Sequence, residues 1–382
     1  MRILHTADWH LGKKSEGRDR LPEQKKALEA MVSLCEAQKV DFVAVAGDVF
    51  DTYTPSAEAE DLFYLALTEL SAGGRRAVFV IAGNHDDPTR LAAARELGYR
   101  HNVFLIEHPG QVLRQEQDFA LRLKDSAPGS ALFQKGEEAL AVGFLPYPSE
   151  ERMGLPLEKE LSYSEKVRRW FTPVHFGKGG FDLALSHLFL AGSMKAGTER
   201  EIEAGGLKAA GVEVFASAHY AALGHIHRFQ RLKNAAYSGS LLKYAFDEAD
   251  PKGALLVEGD QKGLRALEFC PLPGRDFVRL EAQDLAEARE KLAALPEAYT
   301  ELTLRLNQPL TFPEVRELRR TFPDLLQLKI VLPERAGQAV SRKELSPEKL
   351  FSAFYEREYQ KPPQPELLQL FTEKLEQARK AD

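Results

Sequence analysis

Short apolar runs alternate with longer stretches of helical period through the first hundred residues. RILHTA (2–7), DFVAVAGD (41–48) and RAVFVIAGN (76–84) have strand length, whereas PEQKKALEAMVSLCEAQ (22–38) and SAEAEDLFYLALTELSA (56–72) repeat their apolar positions every three or four residues. Strand, helix, strand, helix, strand predicts a mostly parallel sheet with helices on its faces. Val43, Val45 and the run Val78 to Ile81 are apolar on both parities, as strands covered on two sides require. From Val103 to Leu145 the pattern shortens to strands with turn signals, among them FALRLKD and ALAVGFLPYP. The helix-like SEKVRRWF, the strand FDLALSHL, the stretch YAALGHIHRFQ, further strands and a turn in KNAAYSGSLLKYAFDEAD, and GALLVEG follow. This half predicts a second sheet layer.

PLPG at 271–274 marks a boundary, since proline and glycine break both kinds of element. Beyond it DFVRLEA, DLAEAREKLAAL, TELTLRL, FPEVRELRRTF and LLQLKIVL predict a small α+β domain over 275–335, its elements running from Phe277 to Leu332. A helical segment over 345–382 closes the chain: SPEKLFSAFYEREY and PELLQLFTEKLEQARK, joined by KPPQP, with Ser346 before Pro347 as a helix start. The region 1–270 is then one larger domain.

The composition is that of a soluble globular chain of two or three domains: 382 residues, 44% hydrophobic and 28% charged. A formal net charge of −6 gives no overall electrostatic attraction to nucleic acid, so DNA binding would have to rest on local patches or bound cations. Two cysteines, Cys35 and Cys270, build neither a disulfide framework nor a CxxC zinc site. No leader pattern opens the sequence and no apolar run reaches the roughly 18 residues of a membrane span. A cytoplasmic protein is expected.

Five polar clusters share one grammar: Asp8-x-His10, Gly47-Asp48-x-x-Asp51, Gly83-Asn84-His85-Asp86, a lone His187, and Gly224-His225-x-His227. Each follows a strand-like run, and strand C-terminal ends line the ligand crevice of an open α/β sheet. Within an extended segment residues i and i+2 point to one side, so Asp8 and His10 can aim at a common point. Mixed imidazole and oxygen donors suit Mn²⁺, Fe²⁺ or Zn²⁺ better than Mg²⁺ or Ca²⁺, and the donors outnumber one cation's needs. Two divalent cations roughly 3.5 to 4 Å apart stabilise both oxygens of a phosphoryl displacement. Singly, each cluster has a plainer reading as a turn or a satisfied histidine; together, in order and all at strand ends, they do not.

This order resembles the calcineurin-like metallophosphoesterase superfamily, whose pattern of DxH, GDxxD, GNHD, a lone histidine and GHxH spans roughly the first 240 residues here. The wording TADWHLG, AGDVFD, IAGNHDDPTRL, ALGHIHRFQ and YSGSLLKYAFDE is most similar to the SbcD nucleases, bacterial counterparts of the Mre-type DNA-repair nucleases. The resemblance implies an α/β fold: a two-layered β-sandwich flanked by helices, a DNA-capping domain and C-terminal helices. It implies one metal on Asp8, His10, Asp48 and His227, a second on Asp48, Asn84, His187 and His225, and Asp48 as the bridge. Mn²⁺ is the expected cation, with Fe²⁺, Zn²⁺ or Mg²⁺ as substitutes. His85 would protonate the leaving oxygen or stabilise the transition state, and Asp51 would hold its ring or, on a plainer reading, cap a helix.

The expected activity is 3′–5′ exonuclease action on duplex ends and endonuclease action on single strands and hairpins. An SbcC-type SMC-like ATPase is the expected partner, DNA the substrate, and a homodimer the assembly. Lys13, Lys14, Arg18 and Arg20 after the first strand are candidate phosphate contacts, or a solvated basic loop. Leu350, Phe351, Phe354, Leu367, Leu368, Phe371 and Leu375 are candidate contacts to the ATPase coiled coil, or packing within the chain. GDVFDTY lacks the arginine of the phosphoprotein phosphatases' GDxVDRG, which disfavours a phosphoprotein substrate. His219 stands where an aspartate is usual in the family, outside the ligand set; it, His5, His101, His108 and His175 are expected to be structural or superficial. The rival expectations are a small-molecule or cyclic-nucleotide phosphodiesterase, which would not need the C-terminal third, and a non-catalytic DNA-tethering scaffold for the ATPase.

Overall fold

The computed structural model describes residues 1–149, 152–153, 161–171, 176–177, 179–194, 209–333, 347–359 and 361–379. The chain begins with β1 (Arg2–Thr6), a small hairpin of β2 (Lys14–Ser15) and β3 (Arg18–Asp19), α1 (Leu21–Ala37), β4 (Phe42–Val45), α2 (Ala57–Ser71) and β5 (Ala77–Ile81). Two short helices, α3 (Pro88–Leu91) and α4 (Arg95–Tyr99), lead to β6 (Val103–Ile106). Then come β7 (Arg122–Ala127), β8 (Ser130–Lys135), β9 (Glu138–Leu145), α5 (Tyr163–Trp170), β10 (Phe181–His187), β11 (Tyr220–Gly224), β12 (Gln230–Leu232), β13 (Ala235–Tyr237), β14 (Gly253–Asp260) and β15 (Gly263–Pro271). β16 (Phe277–Ala282), α6 (Leu285–Ala293), β17 (Tyr299–Arg305), α7 (Phe312–Thr321) and β18 (Leu325–Val331) follow, and α8 (Pro347–Tyr359) and α9 (Pro365–Arg379) complete the elements.

Two sheets stack face to face. One has the order β15-β14-β1-β4-β5-β6, the other β12-β13-β11-β10-β9-β8-β7. Each has four parallel strands, β1, β4, β5, β6 and β9, β10, β11, β13, with antiparallel strands outside them. The two-residue period of a strand explains why both faces are apolar. Val43, Val45, Val78, Val80, Val103 and Leu105 face α1 and α2, while Phe42, Ala44, Phe79, Ile81, Phe104 and Ile106 face the second sheet. Phe133, Phe144, Phe181 and Leu183 answer them from that sheet, and a third cluster around Val167, Phe171, Leu188 and Phe215 covers its outer face. The architecture is the expected α/β sandwich between helices.

Two boundaries moved from the sequence pattern. FALRLKD becomes a strand only from Arg122, because that strand runs on to Ala127 and turns into β8. In 233–250 only Ala235–Tyr237 is strand, and the rest is a loop that passes behind the sandwich end. The smaller unit is β16-β17-β18, all parallel, with α6 and α7 as crossovers over a core of Ala288, Leu292, Leu302, Leu304 and Leu318. It sits on the sandwich through the ring pair Phe246–Phe277, at 5.0 Å between centroids, and an ion pair of Lys243 with Asp276 at 2.7 Å. Ser346 and His175 lie outside the described residues. Among those described, no helix is long and apolar enough to cross a membrane.

Candidate metal centre

All five polar clusters lie at the C-terminal ends of parallel strands: Asp8 and His10 after β1, Asp48 after β4, Asn84 and His85 after β5, His187 ending β10, and His225 and His227 after β11. The two sheets bring those ends together. Asp8 does not sit on an extended segment, as the i, i+2 reading required. Beyond β1 the backbone turns left-handed at Asp8 (φ 52°) and His10 (φ 46°), and likewise at Asp48 (φ 50°) and His225 (φ 102°). Non-glycine residues pay of order 1–3 kcal/mol for such dihedrals and keep them only where surroundings dictate it. Here the Asp8 and His10 amides bond the carbonyls of Gly47 and Asp48, both at 3.0 Å, so the two ligand loops brace each other. Gln24 of α1 bonds the carbonyls of Trp9 and His10 (3.2 and 2.8 Å) and accepts from Gly12.

The glycines before the donors have a steric reason. A Cβ on Gly83 would lie 2.1 Å from the Asp48 carboxylate, and one on Gly47 (φ 85°) 2.5 Å from the His187 ring. Only bare backbone lets the loops approach so closely.

Asp48 stands in the middle. Its Oδ2 is 3.5 Å from His187 Nε2 and 3.8 Å from His10 Nε2, while Oδ1 accepts from the His85 amide at 2.8 Å. On one side His10 Nε2 and His227 Nε2 are 3.0 Å apart, with Asp8 within reach of both. On the other side Asn84 Oδ1 lies 2.8 Å from His187 Nε2 and 3.0 Å from His225 Nδ1. His187 Nδ1 donates to the Ala46 carbonyl at 2.8 Å, which fixes its tautomer and turns Nε2 inward.

The donor set fits divalent cations. Two ring nitrogens 3.0 Å apart need a proton or a cation between them, and His10 Nδ1 is a buried ring nitrogen with no hydrogen-bond partner among the described residues. Burial pushes the Asp8 carboxyl up to about 7, against the pull of His187 and His227. Burial disfavours the charged form of His187 too, yet the charge and hydrogen bond of Asp48 win and raise it to about 9. Burial and the neighbouring His187 charge lower His225 to about 3; burial, then His227, hold His10 well below its usual value. Protons thus gather where positive charge is wanted.

The comparisons fit this geometry. Residues 1–229 match the calcineurin-like phosphoesterase family model, and residues 273–359 match one described as the type 5 capsule protein repressor C-terminal domain. The chain is 35% identical to the SbcD component of the SbcCD nuclease of Bacillus subtilis, covering 98% of this chain and 97% of that one. The chain belongs to the SbcD family of calcineurin-like phosphoesterases. The SbcD of Rhodobacter capsulatus is 31% identical over 93% of this chain and 94% of its own, and that of Escherichia coli K12 28% over 90% and 87%. As an SbcD family member the chain is a phosphodiester hydrolase.

Several sequence-picked residues have other duties. His85 Nδ1 bonds the main-chain carbonyl of Asp51 at 2.8 Å, so the ring is held by backbone and not by the Asp51 carboxylate. That carboxylate pairs with Lys13 at 2.8 Å and lies 3.7 Å from His10 Nδ1. Nor is Asp51 a helix cap, because Ser56 caps α2. Arg20 is fully buried: it grips Glu23 with two nitrogens, donates to Ser15 and the Lys243 carbonyl, and lies 4.7 Å from the Tyr299 ring centroid. It cannot meet a phosphate. Arg18 pairs with Asp324 at 3.7 Å and bonds the Pro323 carbonyl of the smaller unit; Lys14 is exposed.

In the C-terminal pair Phe351 stacks on Phe371 at 4.3 Å, Leu367, Leu368 and Leu375 are half-buried, and Leu350 and Phe354 are exposed. His5 is buried between the sheets on Tyr220 and Leu223, and His219 stacks on Phe181. His101 and His108 are exposed.

The sequence patterns missed four residues that build the centre from behind. Asp86 accepts from the amides of Val49, Phe50 and Gly83, locking the two central loops together. Arg152 bonds the carbonyls of Gly83 and Asp86, on either side of Asn84 and His85. Glu248 and Lys252 form a buried pair behind His227, and Glu248 stays ionised: burial would raise its pKa, but His227 and Lys252 hold it at about 2. Asp86 and Glu248 stood inside recognised phrases, GNHD and YSGSLLKYAFDE, with no role attached; Arg152 and Lys252 carried no periodic or motif signal.

Proposed function

We propose that this chain is a two-metal DNA nuclease of the SbcD type, and that the convergence of six side chains on Asp48 carries the reading. Asp8, His10, Asp48 and His227 would hold one divalent cation, and Asp48, Asn84, His187 and His225 the other, with Mn²⁺ matching the mixed nitrogen and oxygen donors best. When bound, such a pair supplies an activated water and neutralises charge on the phosphoryl oxygens. The chain's own residues do the rest. Asp48 stays ionised, despite burial, through the charge of His187 and its hydrogen bond. His85 uses Nδ1 to donate to the Asp51 carbonyl, which leaves Nε2 to exchange a proton with the leaving oxygen. Asn84, one residue before, points its oxygen at His187 and His225, so the loop that carries the acid also carries a ligand.

Family membership along nearly the full length supports DNA as the substrate, with exonuclease and hairpin endonuclease action, an SbcC-type ATPase as partner and a homodimer as the assembly. The unit from Phe277 to Val331 would cap the DNA, Lys13 and Lys14 would approach its phosphates, and α8 and α9 would dock on the ATPase. A test uses a labelled hairpin and bis-p-nitrophenyl phosphate, with Mn²⁺ and with chelator. Both should be cleaved only with Mn²⁺, and His85→Ala should lose about 10²–10⁴-fold in turnover on DNA. Cleavage of the small ester alone would overturn the DNA assignment, and cleavage of neither would favour the scaffold reading.

A further inference from the structure

Directly behind His227 lies an ion pair withdrawn from water. The Glu248 side chain is 0% exposed and that of Lys252 5%, with 2.7 Å between Oε2 and Nζ. Glu248 Oε1 is 3.9 Å from His227 Nδ1, and the Lys252 ammonium also donates to the His227 carbonyl at 2.6 Å. Burying two charges costs several kcal/mol per ion, and apolar residues of equal volume often fill such space at no loss. Stability therefore does not explain the pair. Its position does, because it holds one residue at both ring and carbonyl.

The two ends of the centre differ in what backs their imidazoles. His10 Nδ1 also faces a carboxylate, Asp51, at 3.7 Å, but that side chain is 26% exposed and already bonded by Lys13. His187 Nδ1 rests on a neutral carbonyl, that of Ala46. An ionised carboxylate behind a ring raises the basicity of the coordinating nitrogen more than a carbonyl does. Screening by water and Lys13 weakens this effect at Asp51. Lys252 pairs with Glu248 as Lys13 does with Asp51, but full burial removes the screening by water at Glu248.

Resting on the reading of the centre as a site for two divalent cations, we propose that Glu248, clamped by Lys252, is a positioning residue for His227 that makes the Asp8–His10–His227 end the tighter of the two. The orientation and basicity of His227 are set before the cation arrives, and the opposite end fills second.

The test is calorimetric titration of the full chain, stripped by chelator, with MnCl₂. The wild type should take up two equivalents with separated affinities. Glu248→Gln keeps the size and removes the charge; the tight equivalent should weaken about 10–100-fold while the weaker one is unchanged. Because this variant leaves a buried ammonium unpaired, Glu248→Gln with Lys252→Met is measured beside it. The double variant should recover the melting temperature of the stripped protein and still lack the tight equivalent. Unchanged tight binding in Glu248→Gln, equal weakening of both equivalents, or recovery of affinity together with melting temperature would each overturn the proposal. A wild type that binds no Mn²⁺ would instead overturn the two-cation reading on which it rests.

Discussion

At the scale of single residues the centre is a set of close approaches, and these make sharp predictions. Gly83→Ala places a methyl group 2.1 Å from the Asp48 carboxylate and 2.2 Å from its amide nitrogen. Backbone cannot swing aside as a flexible side chain can, so the loop must move, at a cost of about 3 kcal/mol or more. Urea unfolding should report that loss, and Mn²⁺ titration should report weakened binding. A second expectation concerns protons. His187 carries one below about pH 9 because Asp48 and Asp8 overcome the burial that would remove it. A cation must displace that proton, so affinity should rise with pH up to about 9 and binding at pH 7 should release protons. Calorimetry in buffers of different ionisation enthalpy measures the number directly.

At the scale of elements, much was legible in the chain. The β1-α1-β4-α2-β5 order and the double apolar parity of Val43, Val45 and Val78 to Ile81 follow from periodicity alone, and so does the placing of Asp48 and Asn84 at strand ends. The left-handed turns at Asp8 and His10 were not legible, because neither is glycine and only the neighbouring GDVF loop forces them. The partners of Arg20 and Glu248 were hidden for a related reason: both depend on a loop, 238–252, whose path is set by tertiary contacts and by no repeat of its own. Strand packing makes its own prediction. His5, on β1 between the sheets, is driven by burial down to about 3, against a hydrogen bond to the Leu223 carbonyl. Its folded value lies below its unfolded value of about 6.5, so its neutral form favours the fold above pH 6.5. As pH falls from 6.5 towards 3 the unfolded chain takes the proton first, and stability drops by about 1.4 kcal/mol per unit. His5→Gln should therefore flatten the fall in melting temperature between pH 7 and pH 5.

At the scale of the molecule, the hairpin of β2 and β3 ties the smaller unit to the ligand loop, through Arg18 on Asp324, Glu16 on Gln327 and Arg20 beneath Tyr299. Arg20→Met removes the cation from between Glu23, Tyr299 and Phe277. Stability should fall by roughly 2–4 kcal/mol, tempered by the partial exposure of Glu23. Limited proteolysis around residues 271–277 should quicken, since the two units would part more often. A wider consequence follows from the way the donors are scattered, from Asp8 after the first strand to His227 after the eleventh. A chain still emerging from the ribosome holds Asp8, His10 and Asp48 early, but lacks the far wall of the cage until both sheets have closed. No fragment that ends before His225 holds the full set of donors on either side of Asp48.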